Sequence, residues 1–327
     1  MAAGRNRIMS WLVDPEPPGL GIDLRSGEMS LVRLSANRNP PEVELSFTTP
    51  FPPELLHFGM LEPNILDEEA FVKAVESGLL RAGLGGRKRM ALSVPDVLAR
   101  IAVMEIPNPP RSTAELVELL KFRMKKSLPF DVERARVAFQ RLPGSSPAFL
   151  TGVMHEAVAS QYEEVFSRLG LHVGFFVPSS VSLLQLLRPV AFRELPPGSD
   201  YFFVNAERDY FSVSLVRGGD VPALVRTLGL SGNGTARIYG EDDLLQEIIP
   251  TAIYYREKLE GQSLARVYYR SLRPDLVRLR EILEGEFEAP TEPFNLAKAI
   301  PLGREAALDA SAADAVAAAA GVASGAQ

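Results

Sequence analysis

Asp23 is the first residue whose position suggests chemistry. Ile22 and Leu24 alternate with small or polar neighbours, residues 25–28 read as a tight turn, and residues 29–34 resume a strand pattern. The segment therefore predicts a β-hairpin with a carboxylate where its first strand ends. Such a carboxylate can hold a hard cation through its oxygens or accept the N–H groups of the turn beside it. A second run, Gly229-Leu230-Ser231-Gly232-Asn233-Gly234-Thr235, matches the glycine frame of a phosphate-binding loop, but Thr235 stands where that loop needs lysine, so a plain loop is expected. His57, His155 and His172 are scattered without metal-ligand spacing, and zero cysteines remove thiolate ligands, so no metal site is expected. No grouping of serine, histidine and acid suggests a triad, and no catalytic residue is assigned. The basic run Lys121, Arg123, Lys125, Lys126 could touch anionic lipid headgroups. Cations complementing a helix C-terminus are the favoured reading of it.

The elements that must carry these residues recur twice in the same order. The first copy is the hairpin, a third strand with Val43, Leu45 and Phe47 alternating, and a helix with Phe71, Val72, Val75 and Leu79 in register, begun by Asp67 and stopped at Gly83. The second copy has strands at 201–204 and through Phe211, Val213 and Leu215, then a third strand at 221–226. A helix through Leu245, Ile248, Ile249, Ala252, Tyr255 and Leu259 follows, with Pro250 as a kink or break, and then a strand at 266–269. Two such units predict an α/β chain of two similar lobes facing across a cleft. Between them lie strands at 90–94 and 101–106, and the capping box Ser112-Thr113-Ala114-Glu115 opening a helix whose Leu116, Leu119, Leu120 and Met124 share one face. Strands near 135–139 and 148–153 come next, then a helix over Val158, Tyr162, Val165, Phe166 and Leu169 that ends at Gly170. The expected division is an N-terminal extension over 1–18, a first lobe over 19–200 with a small α+β subdomain inserted at about 88–172, and a second lobe over 201–327.

Composition bounds the function classes. A hydrophobic share of 46% with 23% charged residues is that of an ordinary globular chain. The net charge of −6 argues against nucleic acid as a partner, and the absence of cysteine fits a reducing compartment. The apolar run 8–13 is broken by Asp14 and three prolines, too soon for a signal peptide. The long apolar stretch 171–192 is interrupted by Pro178, Arg188 and Pro189, a poor spanning helix. A soluble cytoplasmic protein is expected.

The element order, the opening Gly21-Ile22-Asp23, the strand Ala91-Leu92-Ser93-Val94-Pro95, Glu105-Ile106-Pro107 and the helix end Leu169-Gly170-Leu171 together resemble PilM, the actin-like cytoplasmic protein of type IV pilus assembly. Glu292-Pro293-Phe294 is similar to that family's Asn-Pro-Phe, and residues 312–322 to its last alanine-rich helix. The resemblance covers roughly 20–322. It implies a bilobed actin-like fold, a duplicated ribonuclease H-like unit, with an inserted subdomain of the kind found in the division protein FtsA. It also implies a partner, the N-terminal cytoplasmic peptide of a PilN-like inner-membrane protein, bound in a groove beside the insertion. Membrane association would then be indirect, and self-association is left open. Leu116, Leu119, Leu120 and Met124 are candidates for that groove, with a role in the insertion's own core as the competing reading.

The departures from the family concern the nucleotide. In its first phosphate loop the Asp is followed by a hydrophobic residue, Gly, a run of serines and Lys; here Arg25 takes the Gly position and Ser30 the Lys position, leaving Asp23 and Ser26 as vestigial cofactor-binding residues. The second loop reads Asn205-Ala206-Glu207 in place of Asp-hydrophobic-Gly, and Arg270-Ser271 replaces a Gly-Gly pair that would let backbone approach adenosine. The Gly-Gly pair expected after Arg226 is missing, and only about twenty residues separate Arg226 from the helix at Leu245, so the second-lobe insertion is reduced. Phosphoryl transfer needs positioned phosphates and Mg²⁺ to neutralise developing charge. The expectation is a non-catalytic scaffold, a pseudo-ATPase without cofactor, at the cytoplasmic face of a pilus or secretion complex. The alternatives are a diverged actin-like ATPase or sugar kinase that still uses ATP and Mg²⁺, and a GspL-like type II secretion component.

Overall fold

The structure is a computed structural model that describes residues 18–35, 41–84, 88–144, 146–219, 221–229, 231–232, 235–236, 240–262, 264–303, 306 and 312–320. Most of the expected extension 1–18 and the end of the expected last helix lie outside the described residues.

Alternation builds the first lobe. In β1 (Leu20–Arg25) the side chains of Leu20, Ile22 and Leu24 enter one core, which leaves Asp23 and Arg25 on the opposite face. β2 (Glu28–Leu34) returns antiparallel, with Arg25 opposite Glu28, through a two-residue turn that Gly27 closes at φ 78, a conformation open to glycine. β3 (Val43–Pro50) continues the meander. Helix α1 (Glu68–Arg81) is capped by Asp67, whose side chain accepts the Ala70 N–H at 3.0 Å, worth about 1 kcal/mol. It buries Phe71, Val75 and Leu79 against the strand core, each contributing roughly 1.5–3 kcal/mol.

The chain then runs through β4 (Lys88–Val94), the edge strand β5 (Ala99–Glu105), α2 (Thr113–Met124), β6 (Ala135–Leu142), β7 (Ala148–His155), α3 (Glu156–Arg168) and β8 (Leu171–Pro178). The first sheet has the order β3-β2-β1-β4-β8, and the insertion is a separate three-stranded sheet, β5-β7-β6, with α2 packed on it. The expected insertion at about 88–172 was therefore too wide. β4 pairs parallel with β1, Asp23 opposite Ser93, and β8 pairs parallel with β4; both strands belong to the lobe. α3 belongs there too, since Val158, Tyr162, Val165 and Phe166 fill the first-lobe core.

Helix α4 (Ser179–Glu194) leads to the second lobe, whose sheet repeats the first: β9 (Asp200–Ala206), β10 (Tyr210–Arg217) and β11 (Val221–Gly229) form the meander. After the short strands β12 (Ser231–Gly232) and β13 (Thr235–Ala236), the lobe is completed by α5 (Glu241–Ile253), β14 (Leu264–Ser271), α6 (Leu279–Phe287) and β15 (Thr291–Pro293). The sheet order is β11-β10-β9-β14-β15. α5 runs through Pro250 and continues as a π-helical turn over Tyr254–Lys258, so the proline neither ends the helix nor stops the chain's winding. In the Gly229 to Thr235 run, residues 230, 233 and 234 lie outside the described residues; the rest pairs as a two-stranded hairpin, Gly232 opposite Thr235. After the short helix α7 (Leu296–Ala299), α8 (Ala313–Ala320) lies back on the first lobe. Its alanines let it join α4 and the inner faces of both sheets in one shared core with Val32, Leu187, Phe203 and Tyr268.

Candidate functional site

Two places between the lobes could serve a ligand. The first is the crevice outside the carboxyl ends of β1, β4 and β9, where β1 separates an antiparallel neighbour from a parallel one; ligands of open α/β sheets bind at such switch points. The two lobes present matching strands there. Asp23 on β1 lies opposite Ser30 and Ser93, and Asn205 on β9 lies opposite Ser212 and Arg270. Two residues on, Arg25 in one lobe corresponds to Glu207 in the other.

Arg25 fills the first-lobe half. Its Nε lies 2.7 Å from the Asp23 carboxylate, its Nη1 3.2 Å from Glu28, and its Nη2 donates to Ser30 Oγ at 2.7 Å. Asp23, Arg25, Glu207 and Arg270 are each no more than 4% exposed. Arg270 pairs with Glu207 and donates to Asn205 Oδ1 at 2.8 Å. Burial pushes the Asp23 carboxyl up to about 6; Arg25 pulls it down, and Glu207 adds repulsion. Ser26 lies in the turn, its carbonyl accepting a hydrogen bond from Arg208 at 3.3 Å. The space left among Arg25, Ser26, Pro95, Glu207, Arg208 and Tyr210 is about 10 Å³, close to the room one water needs. A magnesium nucleotide does not fit these residues as they stand: a guanidinium occupies the carboxylate that would face the metal, and a second carboxylate stands on the opposite wall.

The second place is a groove of about 870 Å³. Its walls come from three parts of the fold: the loop 57–62 of the first lobe, the start of the insertion at Val97, Arg100 and Ile101 with Pro129, and β11 of the second lobe at Val225, Arg226 and Leu228. Asp96 sits on its floor with no exposed surface. Its Oδ1 accepts the Ser180 N–H at the start of α4 at 2.9 Å, and its Oδ2 accepts from Thr227 Oγ1 at 3.3 Å, so one carboxylate ties the first lobe to α4 and to the second lobe. Burial raises Asp96 to about 6 against the hydrogen bonds of Ser180, Ser212 and Thr227. Arg226 is held at the rim by Thr251 Oγ1 at 3.0 Å and Glu247 at 3.2 Å. β5 and β11 are both edge strands of their sheets, and the lining is about half apolar, with two guanidiniums among its polar groups. Such a surface suits an extended peptide of mixed character, which gains affinity from main-chain hydrogen bonds and specificity from side-chain pockets.

The expected groove residues are not in it. Leu116 and Leu120 are buried against Ile106 and Phe149 with Leu119 packed beside them, and Met124 is buried against Val132 and Val153. The apolar face of α2 is consumed by the insertion's own sheet, so it is unavailable to a visitor. Sequence reasoning missed Asp96, although a carboxylate just past a Pro at the end of the strand Ala91-Leu92-Ser93-Val94 was a readable signal. His155 caps α3, accepting the Ala157 N–H at 3.1 Å, while His57 lines the groove. Among the described residues, no three His, Cys, Asp or Glu could hold a metal ion together, and no helix is long and apolar enough to cross a membrane.

The two lobes built on one strand order define the class of fold, which is that of the actin-like ATPases. Among solved structures, the chain is similar to a chain of a PilM-PilN type IV pilus biogenesis complex, with a TM-score of 0.76 and 21% identity over 96% of this chain and 100% of that one. It is also similar to a Bacteroides thetaiotaomicron protein of actin-like ATPase fold and unknown function, with a TM-score of 0.53 and 11% identity over 85% of this chain and 92% of that one. No protein-family model matches the chain, and no curated protein matches it.

Proposed function

We propose that the chain is a non-catalytic scaffold of a type IV pilus or related secretion assembly, working at the cytoplasmic face of the membrane. It receives the extended cytoplasmic tail of a PilN-like membrane protein in the groove between the insertion, the loop 57–62 and β11. The contrast between the two clefts carries this reading: the nucleotide position leaves about 10 Å³, whereas the groove offers about 870 Å³ between walls of mixed apolar and polar character. Similarity over nearly the whole chain to a protein of the PilM-PilN complex supports the choice of partner. With Arg25 lying along the Asp23 carboxylate and Glu207 on the opposite wall, the chain neither binds ATP tightly nor hydrolyses it.

The test is a fluorescence-polarisation titration of the full chain with a labelled PilN-like N-terminal peptide. Leu61 lines the groove and is 52% exposed, so Leu61→Asp leaves folding intact. It should weaken binding about tenfold or more, about 1.4 kcal/mol. Undiminished binding by Leu61→Asp and by Val97→Glu together would place the partner elsewhere.

A further inference from the structure

The first-lobe loop that walls the groove is built around one buried side chain. Its ends are tied together: Leu56 bridges Ile65 antiparallel, the His57 N–H donates to the Asn64 carbonyl at 2.8 Å, and the Leu66 N–H to the Leu55 carbonyl at 3.1 Å. Asn64 has no exposed surface, and its Nδ2 donates back into the loop, to the Gly59 and Glu62 carbonyls, each at 2.8 Å. Its Oδ1 accepts from the buried Tyr162 hydroxyl at 3.3 Å. An amide suits this place and a carboxylate does not, since a second side-chain oxygen would face two carbonyl oxygens with no proton between them. From outside, Gln161 of α3 grips the closing end of the loop. Its Oε1 accepts the N–H groups of Asn64 at 2.8 Å and Ile65 at 3.0 Å, and its Nε2 donates to the Ile65 carbonyl at 2.9 Å. Neither Asn64 nor Gln161 lines the groove; Phe58, Met60 and Leu61 of the loop do.

We propose that Asn64 and Gln161 are positioning residues for partner binding, holding the loop 57–62 in the shape that receives an extended peptide. The inference rests on the groove being the binding site, and adds what keeps its wall in place. Compact surface loops whose ends meet and whose own side chains pack them are frequently functional. Here the loop turns its carbonyls at 59 and 62 inward onto Asn64, which leaves its apolar side chains for the groove. A wall already ordered by the chain's own hydrogen bonds does not have to be ordered when the peptide arrives, and such preorganisation raises affinity.

The experiment compares Asn64→Ala and Gln161→Met with Leu61→Asp in the full chain. Each is titrated with the labelled PilN-like N-terminal peptide, its association rate is followed by stopped flow, and urea unfolding fixes the folded fraction. Gln161 is half-buried and methionine keeps its length and helix propensity, so Gln161→Met folds even where Asn64→Ala does not. The affinity of the folded fraction should fall about tenfold in both variants, with slower association, because the loop must then be ordered at each encounter. In the free Gln161→Met chain, amide hydrogen exchange should quicken at His57, Asn64 and Ile65 while the amides of β1 keep their protection. Folded variants that bind like the unaltered chain, while Leu61→Asp binds weakly, overturn the positioning role and leave the groove standing. Exchange in the loop that Gln161→Met does not change overturns it too. Unchanged binding by all three, Leu61→Asp included, removes the groove and the positioning role together.

Discussion

The crevice between the hairpin turns and the groove beside the insertion lie on either side of the same strand ends, yet they differ in almost every physical respect. The crevice is filled from within: Arg25 lies along Asp23, Arg270 along Glu207, and the remaining space is about 10 Å³. The groove is left open by the same chain at about 870 Å³, and its one buried charge, Asp96, is satisfied by Ser180 and Thr227 rather than by a visitor. A buried guanidinium is a poor neighbour for a metal ion and a good one for a carboxylate. The difference teaches that the position filled by buried ion pairs has no room for a ligand, whereas the groove between the insertion and β11 does.

The largest effect expected from breaking this contrast is on stability. Arg25→Ala leaves the buried Asp23 without its cation and Glu28 with Arg208 alone, and should cost about 3–5 kcal/mol in urea unfolding. Asp23→Leu with Arg25→Met replaces the pair by apolar groups of similar bulk and should recover much of the loss. Equal destabilisation by the single and the double variant would mean that the pairing is not what the site depends on.

Next in size is the helix face that could have served a partner. Leu120 is fully buried under the insertion's sheet, so Leu120→Ala should cost about 2–5 kcal/mol, while the affinity of the folded fraction for a PilN-like peptide stays within about twofold. A large loss of affinity with little loss of stability would return α2 to the binding surface.

The smaller effect is a pH dependence at the groove floor. Asp96 binds its proton more tightly folded, at about 6, than unfolded, at about 3.8. Its contribution to stability is therefore full below about pH 4 and is lost as pH rises through about 6. The loss is on the order of 3 kcal/mol at most. Asp96→Asn should flatten the stability profile between pH 4 and 7, and a profile unchanged by that substitution would show that Asp96 does not titrate in this range.

Local signals in the sequence were enough for the elements but not for their partners. The β1–β2 hairpin was legible because Ile22, Leu24 and the Ser-Gly turn are adjacent, and α1 because Asp67, Phe71, Val75 and Leu79 keep helical spacing. β4 was assigned to the insertion because its pairing with β1 joins residues some seventy positions apart, and parallel pairing leaves no local mark. The apolar stripe of α2 was visible, but periodicity reports that a face is covered without saying by what. The groove was illegible for the same reason: its walls come from the loop at 57–62, from Val97 and Arg100, from Pro129 and from β11, four places that only the fold brings together. Arg25 could be read as the loss of a glycine; that it also closes the site against Asp23, Glu28 and Ser30 depends on the fold that brings them together.

The central claim, that one cleft binds and the other does not, is tested most directly by a paired thermal-shift titration of the full chain. A ligand at a hundred times its dissociation constant stabilises a protein by about 2.7 kcal/mol, a clear rise in midpoint. The account predicts that rise with a PilN-like N-terminal peptide and none with Mg-ATP. A rise with Mg-ATP that Asp23→Ala abolishes, or no rise with the peptide, would contradict it.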